Sequence, residues 1–179
     1  MKQSCTLIAI LGCSVGFATP QPASVSPMSA IGSIVSYSFN FVADSASQAS
    51  LQTFYAITDS DISGKCLFAV VSPSTLYVMN DAVTGWLPGV ALNMSQENSF
   101  CRVSSGSLAP TPGVPGGSTL SVTVTYKVPP MSTGNKGVFL AVIDVAGQNS
   151  GWRDMNAIVC VVSCSTSAAP TPGTVSPAN

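Results

Sequence analysis

The sequence predicts an all-β protein, folded as an antiparallel β-sandwich of about seven to nine strands. Three observations lead to this fold class. Apolar and polar residues alternate with period two along long stretches, helical periodicity is nearly absent after residue 20, and Gly and Pro punctuate many short segments. With no crossover helices to cover a parallel sheet, two antiparallel sheets packed face to face would bury one side of each strand.

The first 18 residues have the pattern of a secretory signal peptide. Lys2 precedes an apolar segment, residues 7–18, which ends in small residues just before two prolines. We therefore expect cleavage after Ala18 and a secreted or cell-surface location, either extracellular or periplasmic. In the alternative interpretation, Leu11-Gly12-Cys13 is a lipobox, and Cys13 would then carry a lipid anchor.

Residues 19–163 are predicted to form the sandwich domain. Residues 35–41 and 120–128 alternate between apolar and polar side chains, so each has one buried and one wet face. Residues 65–71 and 137–144 are apolar on both faces, which is typical of central strands. Further strand candidates are residues 51–58, 75–80, 99–103 and 156–162.

Two local features refine this scheme. Ser72-Pro73-Ser74 separates two strand candidates and suits a tight hairpin. Residues 35–41 carry a long apolar face, so a position at a sheet edge would make them a site for strand addition by another chain.

Residues 164–179 contain mainly Ser, Thr, Ala and Pro, and they are predicted to be a flexible tail because they cannot bury enough apolar area. The whole chain is only 7% charged, with a net charge of -1 and no basic run, which argues against nucleic acid and anionic lipid as partners. Its 28 Ser and 14 Thr supply polarity instead. No apolar run after residue 20 approaches the roughly 20 residues of a spanning helix.

Four cysteines remain after removal of residues 1–18, and in an exported protein this even number predicts disulfide bonds. They are Cys66, Cys101, Cys160 and Cys164, and the sequence does not choose among their three pairings. A fully extended segment would hold Cys160 and Cys164 about 13 Å apart, too far for a bridge. They can pair only if the chain turns after Val162; otherwise they are free thiols, or Cys164 reaches a second chain.

Three stretches together resemble a known family: residues 80–87 with Asn80-Asp81 and Gly85-Trp86, then Ser99-Phe100-Cys101, then residues 137–152 ending in Gly151-Trp152. With Cys66 ahead of them, they are similar to an uncharacterised Ig-like β-sandwich domain of predicted exported bacterial proteins, over about residues 22–162. The resemblance implies an extracellular module of no known activity. It also implies that Cys66 pairs with Cys101, and the sequence departs from the family in its additional Cys160 and Cys164.

Aromatic residues are candidates for a flat platform on which sugar rings stack. Trp86 and Trp152 both follow a glycine in a turn-like context, which favours a surface position, although packing in the core or under loops is the alternative. The tyrosines that could extend the platform are Tyr37, Tyr55, Tyr77 and Tyr126.

Catalysis is not expected. The chain has no histidine, which removes the common nucleophile-activating and zinc-binding arrangements, and Glu97 is its only glutamate. Asp59 and Asp61 could contribute oxygen ligands to Ca²⁺, but their spacing is more typical of an Asx turn. We expect no metal and no cofactor.

These observations predict a secreted, non-catalytic extracellular adhesion or structural module that recognises a surface through loops at the sandwich ends. The alternative is a carbohydrate-binding protein that stacks sugar rings on Trp86 and Trp152. The expected partner is accordingly an extracellular protein or a polysaccharide, whose identity the sequence does not give.

Overall fold

The computed structural model describes residues 19–43, 51–59, 65–128 and 134–161. The predicted signal peptide, the lipobox cysteine Cys13 and the predicted tail lie outside these residues. No helix in the described ranges is long and apolar enough to cross a membrane.

Within the described ranges the chain forms twelve β-strands and no helix, which confirms the all-β class. The expected count of about seven to nine was too low, because three of the strands have only two or three residues and are too short to show alternation. The strands are β1 (Gln21–Ser26), β2 (Ser29–Ile31), β3 (Ile34–Val42), β4 (Leu51–Asp59), β5 (Leu67–Val71), β6 (Thr75–Val78), β7 (Val90–Ala91), β8 (Gln96–Glu97), β9 (Cys101–Pro110), β10 (Gly117–Tyr126), β11 (Gly134–Asp144) and β12 (Arg153–Val161).

The strands form two sheets. A five-stranded sheet has the order β1-β3-β10-β9-β8, and a seven-stranded sheet has the order β2-β12-β11-β4-β5-β6-β7. All neighbouring strands are antiparallel except β2 and β12, which are parallel. The arrangement is compatible with the β-sandwich that the sequence predicts.

The inner faces of the two sheets share one hydrophobic core. Phe39 and Phe41 of β3 lie with their ring centroids 6.2 Å from Phe68 and 5.0 Å from Phe54, so aromatic rings of one sheet pack on those of the other. Alternate residues of β3 and β10 are buried, as the period-two pattern predicts. The two sheets therefore cover each other through the faces that the sequence marks as apolar.

Strand positions agree with the sequence in two cases, and the position of β3 decides whether strand addition is open to it. β5 and β11 are both interior strands of the seven-stranded sheet, and Ser72-Pro73-Ser74 forms the hairpin turn between β5 and β6. β3 lies between β1 and β10, so its backbone is paired on both sides, and the edge position that strand addition requires is not present. Its long apolar face reflects contact with the other sheet across the core.

A disulfide bond joins Cys66 to Cys101, the pairing that the resemblance implies. Cys66 directly precedes β5 in the seven-stranded sheet and Cys101 begins β9 in the five-stranded sheet, so the bond links the two sheets. Their Cα atoms lie 5.6 Å apart and both residues are fully buried. Cys160 is also disulfide-bonded, but Cys164 lies outside the described residues, and the second pair therefore stays a prediction.

Candidate functional site

A row of alternating large and small side chains crosses the outer face of the seven-stranded sheet. In direct register, Tyr77 of β6 faces Ala69 of β5, Ala69 faces Tyr55 of β4, and Tyr55 faces Ala141 of β11. Their sequence neighbours belong to the core, so these four side chains point away from it. Each alanine leaves space beside a tyrosine ring.

Two tryptophans from loops lie beside Tyr55 on this face. The ring centroid of Trp86 is 6.1 Å from that of Tyr55, and the ring centroid of Trp152 is 6.2 Å from the same Tyr55 ring. Each tryptophan is 40% exposed. Ala69 and Ala141, although on the outer face, are only 3% and 4% exposed because aromatic rings cover them. We call Tyr77, Trp86, Tyr55 and Trp152 the aromatic strip.

The aromatic strip contains two shallow grooves with Tyr55 as their common wall. One groove, of about 180 Å³, is also lined by Trp86, and the other, of about 170 Å³, by Trp152. None of the residues lining either groove carries a charged side chain. The first groove is lined by Thr53, Tyr55, Ala69, Val71, Tyr77 and Trp86, and the second by Tyr55, Ala141, Ile143, Asn149, Gly151 and Trp152.

The loop that carries Trp86 is fixed by its own hydrogen bonds. The Asn80 side-chain oxygen accepts the backbone N–H of Thr84 at 3.0 Å, and the Asn80 N–H donates to the Gly85 carbonyl at 2.9 Å. Trp86 then forms a β-bridge with Met79, which returns the chain to the end of β6. Asn80 thus shapes the turn that brings the tryptophan onto the sheet.

A glycine holds the same loop against Tyr77. A Cβ atom at Gly89 would lie 2.7 Å from two carbons of the Tyr77 ring and 2.8 Å from the Thr75 methyl, closer than real Cβ contacts. Glycine is therefore required for this close approach. By contrast, a Cβ atom at Gly85 would have its nearest neighbour at 3.8 Å, an ordinary contact.

The loop that carries Trp152 is ordered in a similar way. The Asp144 carboxylate accepts the backbone N–H groups of Ala146 and Gln148 at 2.9 and 2.8 Å, which closes a turn after β11. The Ser150 hydroxyl accepts the Val142 N–H at 2.9 Å and so ties the end of the loop back to the strand. Trp152 follows immediately, before β12 begins at Arg153.

The residues of the Ser99-Phe100-Cys101 stretch act in the scaffold. The side chain of the neighbouring Asn98, which is 8% exposed, donates to the carbonyls of Lys65 and Met79 and accepts the N–H groups of Phe100 and Cys101. All four bonds are between 2.8 and 2.9 Å. Asn98 therefore joins both sides of the disulfide to the end of β6, and the sequence reasoning did not single it out.

A larger cleft, of about 570 Å³, opens at one end of the two sheets, with Asp81, Glu97 and Lys127 in its wall. These charged groups bind within the protein. Asp81 accepts the Ser99 hydroxyl and the Ser99 N–H, and these hydrogen bonds lower the pKa of its carboxyl. The Lys127 ammonium lies 3.1 Å from Glu97 and donates to the Asn98 carbonyl at 2.8 Å.

Two of the tyrosines proposed for the platform lie elsewhere. Tyr37 and Tyr126 are each 2% exposed in the core, where their hydroxyls share a hydrogen bond of 2.6 Å. Burial raises the pKa of Tyr126 to about 12 and raises that of Tyr37 further. The period-two pattern assigns both residues to the inner face, which is why they cannot join the aromatic strip.

The described aspartates also have partners of their own. Asp59 pairs with the buried Lys136 ammonium at 3.1 Å and accepts the Lys65 N–H, while Asp154 accepts the Asn156 N–H. In the ranges that the structure describes, no three His, Cys, Asp or Glu residues come together as a metal site would require. Asp61 lies outside those ranges.

Comparison with known proteins found no matching family model, no matching curated protein and no matching solved structure.

Proposed function

We propose that this protein is a secreted, non-catalytic binding module that recognises carbohydrate through the aromatic strip. The observation that carries the proposal is the meeting of Trp86 and Trp152, both 40% exposed, at one tyrosine ring on one sheet face. Sugar rings have apolar C–H faces that stack on such rings, while their hydroxyls bond to polar groups nearby. The strip offers Tyr hydroxyls, Thr53 and Asn149 for that purpose.

Exposure of the strip favours binding over a purely structural role. The seven-stranded sheet already has a complete core on its inner face, so these rings are not needed to cover the other sheet. A contiguous exposed apolar patch on a soluble domain commonly marks an interaction site. Tyr and Trp are also the side chains that supply most binding energy when a partner covers them.

The Ig-like identity of the sandwich belongs to the same proposal. The protein has two sheets joined by a buried disulfide, as Ig domains do. Neither tryptophan packs in the core as the Ig tryptophan does, since both lie on the outer face. The disulfide is compatible with an extracellular location.

Adhesion through the sandwich-end loops is the second candidate function, and the cleft beside Lys127 favours it. Its volume, about 570 Å³, is within the usual range for ligand sites. However, its charged groups already bind within the protein, Lys127 to Glu97 and Asp81 to Ser99, so a ligand would have to replace existing bonds. For this reason we favour the aromatic strip.

A pull-down of the purified, oxidised protein on insoluble polysaccharides and cell-wall fractions tests the proposal. The Trp86→Ala and Trp152→Ala variants are each expected to weaken binding about tenfold or more, which corresponds to a loss of about 1.4 kcal/mol. Ile34→Ala is the matched control, because Ile34 is 65% exposed on the five-stranded sheet, away from the strip. Circular dichroism establishes that each variant is folded, and a Phe substitution replaces any Trp→Ala variant that is not.

Two outcomes contradict the proposal. Binding that persists in both Trp variants but is lost in Lys127→Ala would assign recognition to the loop cleft. The absence of binding to every fraction would remove carbohydrate recognition and direct the search to protein partners.

A further inference from the structure

The two grooves of the aromatic strip differ from each other in position but share their chemistry. Each is lined by one tryptophan, by Tyr55 and by one alanine, and their volumes are about 180 and 170 Å³. Sites that enclose a drug-sized ligand have roughly 300–1,000 Å³, so each groove is suited to one ring that lies in it from one side. A ligand that fills both must pass over Tyr55.

The direction of such a ligand follows from strand register. Tyr77, Ala69, Tyr55 and Ala141 are direct cross-strand neighbours on β6, β5, β4 and β11. The grooves therefore follow one another across the strands, and their alanines lie two strands apart, at about 4.8 Å per strand. An extended chain of rings fits this path, whereas a single compact ligand would leave one groove empty.

The charge of the ligand follows from the lining. No residue that lines either groove is Asp, Glu, Lys or Arg, and the charged groups of the end cleft already bind within the protein. Trp86 and Leu87 are adjacent in sequence, yet Trp86 lines a groove of the strip and Leu87 lines that cleft, so the loop separates the two surfaces. A uronate, sulfate or sialate group would lose water on the strip without gaining a cation.

We infer that the strip binds an uncharged polysaccharide chain, which lies across the strands and places two sugar rings in the grooves on either side of Tyr55. The inference rests on the proposed carbohydrate-binding function and specifies its ligand. A protein partner fits less well, since aromatic interface centres are normally accompanied by arginine and a polar, charged rim, and the grooves have no arginine in their lining.

The test compares neutral with anionic polysaccharides on the same protein. Cellulose, xylan and chitin are the neutral probes, and polygalacturonate and alginate are the anionic ones. Retention on a neutral probe is expected to change less than about twofold between 0.1 and 1 M salt, over which the Debye length falls from about 10 to about 3 Å. Retention only on an anionic probe, with loss in 1 M salt and in the Trp variants, would overturn the inference while leaving the proposed function standing.

Tyr55 variants test the shared wall. Tyr55→Ala is expected to weaken binding more than either Trp86→Ala or Trp152→Ala, because it removes a wall from both grooves, whereas Tyr55→Phe keeps the ring and retains most binding. Soluble oligosaccharides of the bound polymer are expected to compete at least about tenfold better per sugar than the monosaccharide. Equal competition by the monosaccharide, or full binding by folded Tyr55→Ala, would refute two adjoining subsites. If no polysaccharide of either charge is retained, the proposed function itself fails.

Discussion

Removal of the inter-sheet disulfide gives the sharpest test of how this fold is held together. The double variant Cys66→Ala/Cys101→Ala deletes the one covalent link between the sheets that the described residues contain. The variant leaves the disulfide of Cys160 in place. Chemical reduction would break that bond as well. The variant therefore isolates one cross-link.

The expected loss follows from the length of the closed loop. The two cysteines are 35 residues apart in sequence, and a loop of this size restricts the unfolded chain by about 3.8 kcal/mol in the chain-entropy model. A domain of this size would lose roughly 10 °C in Tm for such a change. The unfolded state also expands when the link is removed, so the dependence of the unfolding free energy on denaturant should steepen.

Equilibrium unfolding in urea under oxidising conditions measures both quantities. Val103→Ala is the control, because Val103 is fully buried on the same strand as Cys101 and its truncation reports packing loss without loss of a link. A loss below about 1 kcal/mol in the double variant, with an unchanged denaturant slope, would refute the argument that the disulfide restricts the unfolded chain.

Three further predictions concern the scaffold around the strip. Asn98→Ala should destabilise the protein by about 3 kcal/mol in urea unfolding, since it removes the partner of two carbonyls and two N–H groups; a loss near zero would contradict this role. Gly89→Ala should cost about 1–3 kcal/mol and perturb the near-UV spectrum by displacing Tyr77, while Gly85→Ala should do neither. The pKa of Tyr126 rises from 10.0 to about 12 in the folded state. Its contribution to the free energy of unfolding is therefore full below pH 10 and is lost as the pH rises towards 12. In the Tyr126→Phe variant, the free energy of unfolding should decline less steeply over this alkaline range.

The fold was predictable wherever a strand has one wet face. β3 alternates along its full length and β10 alternates from Leu120 onwards, because each covers the core on one side and faces solvent on the other. β1 was not predicted, since Pro22 interrupts its pattern and edge strands tolerate proline. The strand predicted at residues 99–103 extends further, to Pro110. This extension was not predicted, because its Ser and Gly residues give no alternating apolar signal.

The candidate site was predictable in its residues and not in its geometry. Trp86, Trp152, Tyr55 and Tyr77 were all named from the sequence, but their meeting depends on strand order, which brings β6, β5, β4 and β11 side by side. Ala69 was read as part of a strand apolar on both faces. Its outer face is indeed covered, and the cover comes from the aromatic rings of Tyr55, Tyr77 and Trp86 instead of another layer of secondary structure.

The stretches that carry the family resemblance divide into two kinds of residue with different consequences for mutation. Asn80 and Asp144 accept backbone N–H groups and shape the two turns, whereas the tryptophans that follow those turns stay 40% exposed. Turn residues act by fixing the backbone, so their loss must affect stability before it affects any ligand. A half-exposed ring makes fewer internal contacts, and its removal can weaken binding while the fold persists. If the Trp→Ala substitutions lowered the free energy of unfolding as much as the asparagine substitutions do, the aromatic strip would be part of the scaffold.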